Sequence, residues 1–139
     1  MRKAVLIASA ALCLLGPRQA LADKVPNQIA VFAALDKVTA RIQPLEVPVN
    51  KTVNFGGLKI TPRVCYTRTP TEQPVTSSFV EVDEVQLDKS EKRIFTGWMF
   101  AQSPGIHAVE HPVFDVWLTN CKTPAEDKSQ GNSWKPLRP

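Results

Sequence analysis

The stretch "LKITPRVCYTR" (Leu58–Arg68) alternates with a period of two, Leu58, Ile60, Pro62, Val64 and Tyr66 against Lys59, Thr61, Arg63 and Cys65. Only an extended chain puts residues i and i+2 on one face, so the pattern commits this stretch to a half-buried strand. The period recurs. "KVTARIQ" sets Val38, Ala40 and Ile42 against Thr39, Arg41 and Gln43 and runs on through "LEVPV", where Pro44 and Pro48 limit the edges that can pair. "SFVEVDEVQL" is a further strand, ended by the mixed-charge turn "DKSEKR". "IFTGWMFAQS" is an apolar strand with Gly97 at its centre, and "PVFDVWLTNC" sets Phe114, Val116 and Leu118 against Asp115, Trp117, Thr119 and Cys121. Val53 and Phe55 lead into Gly56-Gly57, a pair that tolerates positive φ and so predicts a hairpin into Leu58. Twelve prolines leave little room for helix. "IAVFAAL" (Ile29–Leu35) reads either as a first strand or as a short helix. Six or seven short strands with turns every roughly 8–15 residues predict an all-β domain, a small antiparallel sandwich or barrel.

The ends of the chain set its surroundings. "MRKAVLIASAALCLLGPRQALA" has a basic start at Arg2 and Lys3, an apolar run from Ala4 to Gly16, and the small-x-small unit Ala20–Ala22. That is the pattern of a cleaved secretory signal, with the mature chain starting at Asp23. The apolar run is well short of the roughly 20 residues a spanning helix needs, so no transmembrane segment is expected after cleavage. Of 17 Lys and Arg, the signal carries Arg2, Lys3 and Arg18; the mature chain keeps 14 against 13 Asp and Glu, a net charge of +1. Nucleic acid is therefore not an expected partner. Cys13 also leaves with the signal. The remaining pair, Cys65 and Cys121, is expected to form one disulfide in an oxidising compartment, the periplasm. The expected organisation is a signal peptide at 1–22, a linker at 23–30, a β-domain at 31–122 and a disordered tail at 123–139. Trp134 stands in that tail.

"HAVEHPVFD" (His107–Asp115) holds both histidines and spells H-x-x-E-H, a zinc-peptidase string. The zinc geometry needs both histidines on one helix face. Pro112 pushes His111 away from helix, and Pro104 and Gly105 stand just upstream of His107. No rigid third ligand is evident, so no metal and no cofactor are expected. The favoured reading of His111 is a structural hydrogen bond to Glu110, Asp115 or a neighbouring strand that fixes the loop before the last strand. The alternative is a metal-assisted hydrolase using Glu110, His111 and Asp115. A triad of Ser103, His107 and Asp115 lacks the G-x-S-x-G elbow. Glu81 and Asp83 share a strand face and read as solvated rather than as a cation site. Trp98 and Phe100 share a face in an apolar strand and are expected in the core. Their alternative role is an aromatic platform for a lipid, glycan or peptide, with Gly97 admitting the ligand.

"ALDKVTARI", "EVPVNKTVNFGGLKITPRVCYTR" and "FTGWMFAQSPGIHAVEHPVFDVWLTNC" resemble the exported alphaproteobacterial proteins grouped as the domain of unknown function DUF2155. The likeness runs from Ala34 to Cys121, and "GWMFAQSP…EHPVFDVW…C" is its specific part. It implies an envelope location, a pairing of Cys65 with Cys121, and no assigned activity; the motif includes the E-H-P-V unit but not His107. The expectation is a non-catalytic binding or structural module of the cell envelope, with an envelope protein or lipid as partner. The candidate surface is Trp98, Glu110, His111 and Asp115. A carrier of a small apolar ligand in the domain interior is a third reading.

Overall fold

The computed structural model describes residues 23–124. The expected signal peptide, and the expected tail beyond Pro124 with Trp134, lie outside the described residues. Among the described residues nine strands follow one another: β1 Lys24–Pro26, β2 Ile29–Asp36, β3 Arg41–Pro48, β4 Val53–Phe55, β5 Leu58–Arg68, β6 Ser77–Val85, β7 Glu91–Phe100, β8 Val109–Glu110 and β9 Phe114–Lys122. No helix occurs among the described residues, and "IAVFAAL" lies in strand β2. The strands form two antiparallel sheets that pack as a sandwich. Sheet A runs β1-β5-β6-β7, with β4 also on β5, and sheet B runs β3-β2-β9-β8. Short β1 and β8 are the elements that alternation does not reveal. The segment 23–30, expected as a linker, carries β1 and the first residues of β2.

Leu58, Ile60, Val80, Val82 and Met99 from sheet A meet Phe32, Leu45, Val47, Val116 and Leu118 from sheet B in one buried core. Proline placement follows from hydrogen bonding. Pro44 and Pro48 lie on β3, an edge strand paired only with β2. Pro62 lies inside β5, between the stretch that pairs β4 and the stretch that pairs β1. Its missing N–H faces that gap, and its carbonyl on the same side accepts the Asn50 N–H at 2.7 Å.

Three register shifts interrupt the ladders; one leaves Ile94 extra on β7, and the other two, on β5 and β9, decide the facing of the cysteines. On β5 the register passes from Pro62 opposite Val80 to Val64 opposite Phe79, leaving Arg63 as the extra residue. On β9 it passes from Leu118 opposite Phe32 to Asn120 opposite Val31, leaving Thr119 extra. An inserted residue reverses the facing of everything beyond it. Strict alternation puts Cys65 and Cys121 outside; the bulges turn both inward, to 1 % and 3 % exposure. There they form the disulfide, with Cα atoms 5.7 Å apart, bridging sheet A to sheet B. The same bulge at Arg63 turns Val64 and Tyr66 outward, against the sequence reading that groups them with Leu58 and Ile60.

A further correction concerns "KVTARIQ". Residues 37–40 are the turn between β2 and β3, not strand. The Asp36 carboxylate accepts the N–H groups of Val38 at 2.8 Å and Thr39 at 3.2 Å, and Ala40 has φ 57°. Asp36 thus closes an Asx-type turn that competes with extension. Val38 and Ile42, expected on a half-buried face, are 78 % and 63 % exposed.

Candidate functional site

The loop between β8 and β9 is built around His111. Val113 N–H donates to Nδ1 at 3.1 Å, so Nδ1 carries the lone pair and Nε2 carries the proton. Nε2 then donates to Glu84 Oε1, 2.9 Å away at the end of β6. The His111 N–H also donates to the Phe114 carbonyl at 2.9 Å, and the Phe114 ring stacks on the imidazole at 5.6 Å between centroids. Lys37, in the β2–β3 turn, reaches across to the His111 carbonyl at 2.9 Å and the Asp115 carboxylate at 2.8 Å. Both ring nitrogens of His111 and the Asp115 carboxylate are therefore engaged by protein groups. Phe114 packs edge-on to Phe55 at 5.1 Å and lies over Gly56. The cluster ties the turn end of sheet A to the start of β9, as a structural reading of His111 requires. The partner is Glu84, which that reading had not singled out.

The other members of the proposed constellations lie elsewhere. The His107 ring is exposed and 6.2 Å from Phe100, away from the His111–Glu84 pair. Among the described residues, no three His, Cys, Asp or Glu side chains gather as a metal site. Glu110 is exposed on the short edge strand β8 and borders a polar depression with Ile106 and Phe95. Glu81 and Asp83 meet arginine: Glu81 pairs with Arg63 at 2.7 Å and Arg93 at 3.3 Å, and Asp83 pairs with Arg93.

The hydrogen bond from His111 holds the Glu84 carboxyl below its ordinary value of 4.5, helped by Gln86 and opposed by desolvation. A carboxyl with a depressed folded-state value stabilises the fold above its unfolded value and loses that contribution as pH falls through the folded one. The fold should thus lose this support below pH 4.5. Glu84→Gln should flatten the fall in thermal midpoint below that pH, and His111→Ala should flatten the same limb. Melting curves from pH 7 to about pH 3 test this; an unchanged acid limb in both variants would detach the pair from acid stability.

Trp98 is not part of that cluster, contrary to the grouping drawn from sequence. It stands opposite Phe79 on β6, five residues along the strand from Glu84, which puts the two regions about 16 Å apart. Nor is Trp98 in the core. Met99 is fully buried, so its neighbours Trp98 and Phe100 turn to the outer face, where Trp98 is 37 % exposed. Gly97 sits on the inner register opposite Val80 with the Phe95 ring over it, so it admits no ligand beside Trp98.

An aromatic platform results. The Trp98 ring lies at 25° to Tyr66 with centroids 6.3 Å apart, and Phe79 supports it edge-on at 5.6 Å. Lys24 on β1 places Nζ over both rings, 5.6 Å from Tyr66 and 5.7 Å from Trp98. Register explains the hollow beside them. Tyr66, Ser77 and Phe100 face one another across β5, β6 and β7, and the middle residue is the small one. The groove holds about 220 Å³, with Lys24, Thr67, Arg68 and Val75 completing its rim. Sequence reasoning singled out Trp98 and Phe100 but missed Lys24, Tyr66 and Ser77. The lost signal is the parity of Met99 and the bulge at Arg63.

No solved structure matches the chain. An uncharacterized protein of Rickettsia prowazekii (strain Madrid E) is 24 % identical over 88 residues, covering 63 % of this chain and 57 % of that protein. The chain thus spans little more than half the length of that relative. No helix among the described residues is long and apolar enough to cross a membrane. The specific unit "EHPV" proves to be the His111 lock between the two sheets, and the cysteines of the motif are the bridge between them. Residues 30–121, which hold both, match the family described as "Uncharacterized protein conserved in bacteria (DUF2155)", and the chain belongs to it.

Proposed function

We propose that the protein is an exported, non-catalytic β-sandwich of the bacterial cell envelope that binds another envelope component through the groove at Trp98. The observation that carries this reading is exposed Trp98 stacked on half-buried Tyr66, held by Phe79 and topped by Lys24. A large ring left more than a third in water on a sheet face forgoes burial worth on the order of 2 kcal/mol. Such an arrangement is a common mark of a contact surface. The His111 cluster supports the reading from the other side, because its polar groups serve the fold. The signal-like start and the cysteine bridge favour a periplasmic setting.

Co-sedimentation of the purified mature protein with isolated cell envelopes tests the assignment. Trp98→Ala should reduce the bound fraction about tenfold, the loss expected when an aromatic anchor is truncated. His111→Ala, in the β8–β9 loop at the far end of the sandwich, should bind like the parent. Loss in His111→Ala with full binding in Trp98→Ala would move the surface to the β8–β9 loop.

A further inference from the structure

We propose that the groove on sheet A binds saccharides that carry carboxylate groups, with a sugar ring laid on Trp98 and Tyr66 and the acid group met by Lys24 and Arg68. The inference rests on the groove being the binding surface and names what it takes.

The platform has the shape a sugar needs. Its rings are held by neighbours rather than free to rotate: Phe79 stands edge-on to Trp98, and Tyr66 lies nearly parallel to it. Flat, immobilised aromatic faces offer contact area at little entropic cost, and a pyranose presents a flat C–H face of matching kind. Ser77 adds a hydroxyl to the lining, and Thr67, whose oxygen accepts from Asn27 Nδ2 at 3.0 Å, keeps an O–H to donate. A ligand rich in hydroxyl groups can pair with them, whereas an acyl chain would cover them without partners. An extended peptide would gain most by adding to a sheet edge; this groove opens on a sheet face.

Charge fixes the sign of the ligand. Lys24 and Arg68 are the charged residues of the lining, and no Asp or Glu joins them. Arg68 has Glu72 at 3.6 Å; among the described residues Lys24 forms no ion pair, and its ammonium lies over the two rings. A carboxylate set beside those rings would meet a cation already in place. Size points the same way. The groove's 220 Å³ is under the roughly 300 Å³ at which pockets for drug-sized molecules begin, and it is open to solvent, so it suits a polymer lying across it.

Isothermal calorimetry of the mature protein with trigalacturonate, chitotriose and phosphatidylglycerol vesicles separates the alternatives. Trigalacturonate should bind and the neutral chitotriose should bind at least about tenfold more weakly. Lys24→Gln should remove most of that preference, and raising salt from about 50 to about 500 mM should do the same. Trp98→Ala should abolish binding of both sugars, and Trp98→Phe, which keeps a ring, should retain part of it with the parent's melting temperature as the check on folding. Equal affinity for both sugars, or indifference to Lys24→Gln, overturns the proposal. Binding of vesicles alone, lost in Trp98→Ala, overturns the saccharide class and leaves the groove standing. If no probe binds and Trp98→Ala still sediments with envelopes like the parent, the groove falls as well.

Discussion

The double variant Cys65→Ala/Cys121→Ala is expected to lose about 4 kcal/mol of folding stability. The bridge closes a loop with a sequence separation of 56 residues. In the chain-entropy account a loop of that length restricts the unfolded ensemble by about 4 kcal/mol. For a domain of this size that corresponds to a fall of roughly 15–25 °C in melting temperature. Since small domains have only about 5–15 kcal/mol in total, the variant should unfold measurably near growth temperature. Parent protein reduced before a urea titration should show the same midpoint as the double variant, because both lose the cross-link. A much larger loss in the variant than in the reduced parent would assign the effect to the packing of the two buried sulfurs. A loss under about 1 kcal/mol in both would mean that the unfolded chain is already restricted without the bridge.

The location of the bridge shows what alternation can and cannot convey. Most long strands were legible, because β3, β5, β6, β7 and β9 each bury one face against the other sheet and write that face at a period of two or as an apolar run, whereas the apolar run of β2 fits a short helix equally well. Parity within a strand was not legible past Arg63 and Thr119. A bulge leaves no mark in residue type; it shows only as a slip between partners. That slip moves Cys65 from the Lys59 and Arg63 side to the core and moves Tyr66 from the core side to the groove. The bulge at Arg63 thus sets one end of the covalent staple and half of the aromatic platform. The turn at 37–40 escaped for a different reason. Its residues fit a strand by period, and only the Asp36 side chain, through its bonds to Val38 and Thr39, decides against it.

The candidate site was legible in part for the same reason. "EHPVFD" advertised His111 and Asp115, and the proline correctly argued against a helix there. Their partners, Glu84 and Lys37, lie 27 and 74 residues away in sequence, so no local spacing identifies them. Sequence also placed Trp98 with the aromatic core, since an apolar run such as "GWMF" does not state which face is inside. Met99 fills the core in its place. The sandwich is consequently fastened at its two ends by different means. The disulfide joins the sheets near the groove, and Phe114 with His111 joins them at the Gly56-Gly57 turn, about 20 Å away along β5.

That second fastening predicts a severe effect from a single methyl group. Gly56→Ala should destabilise the protein by about 3 kcal/mol. Gly56 has φ +58° at the first residue of the two-residue turn, the pattern of a type II′ hairpin, and an alanine there costs about 1 kcal/mol in backbone strain. The rest is steric: a Cβ at this position would lie 2.3, 2.6 and 3.0 Å from three atoms of the Phe114 ring. The ring cannot swing away freely, with Phe55 edge-on at 5.1 Å and His111 stacked at 5.6 Å. Overpacking of that kind costs about 1–3 kcal/mol. A double-mutant cycle separates the two contributions. Phe114→Leu removes the ring atoms nearest the new methyl, so Gly56→Ala should cost about 1 kcal/mol in that background, a coupling of about 2 kcal/mol. Gly56→Asn keeps a Cβ, and the first position of a type II′ turn lies outside the left-handed helical region that asparagine tolerates, so it should be as damaging as alanine. If Gly56→Ala costs the same with and without Phe114, backbone strain is the whole effect and the ring is not what locks the hairpin to β9. If it costs less than about 0.5 kcal/mol, the turn yields and the second fastening between the sheets does not exist.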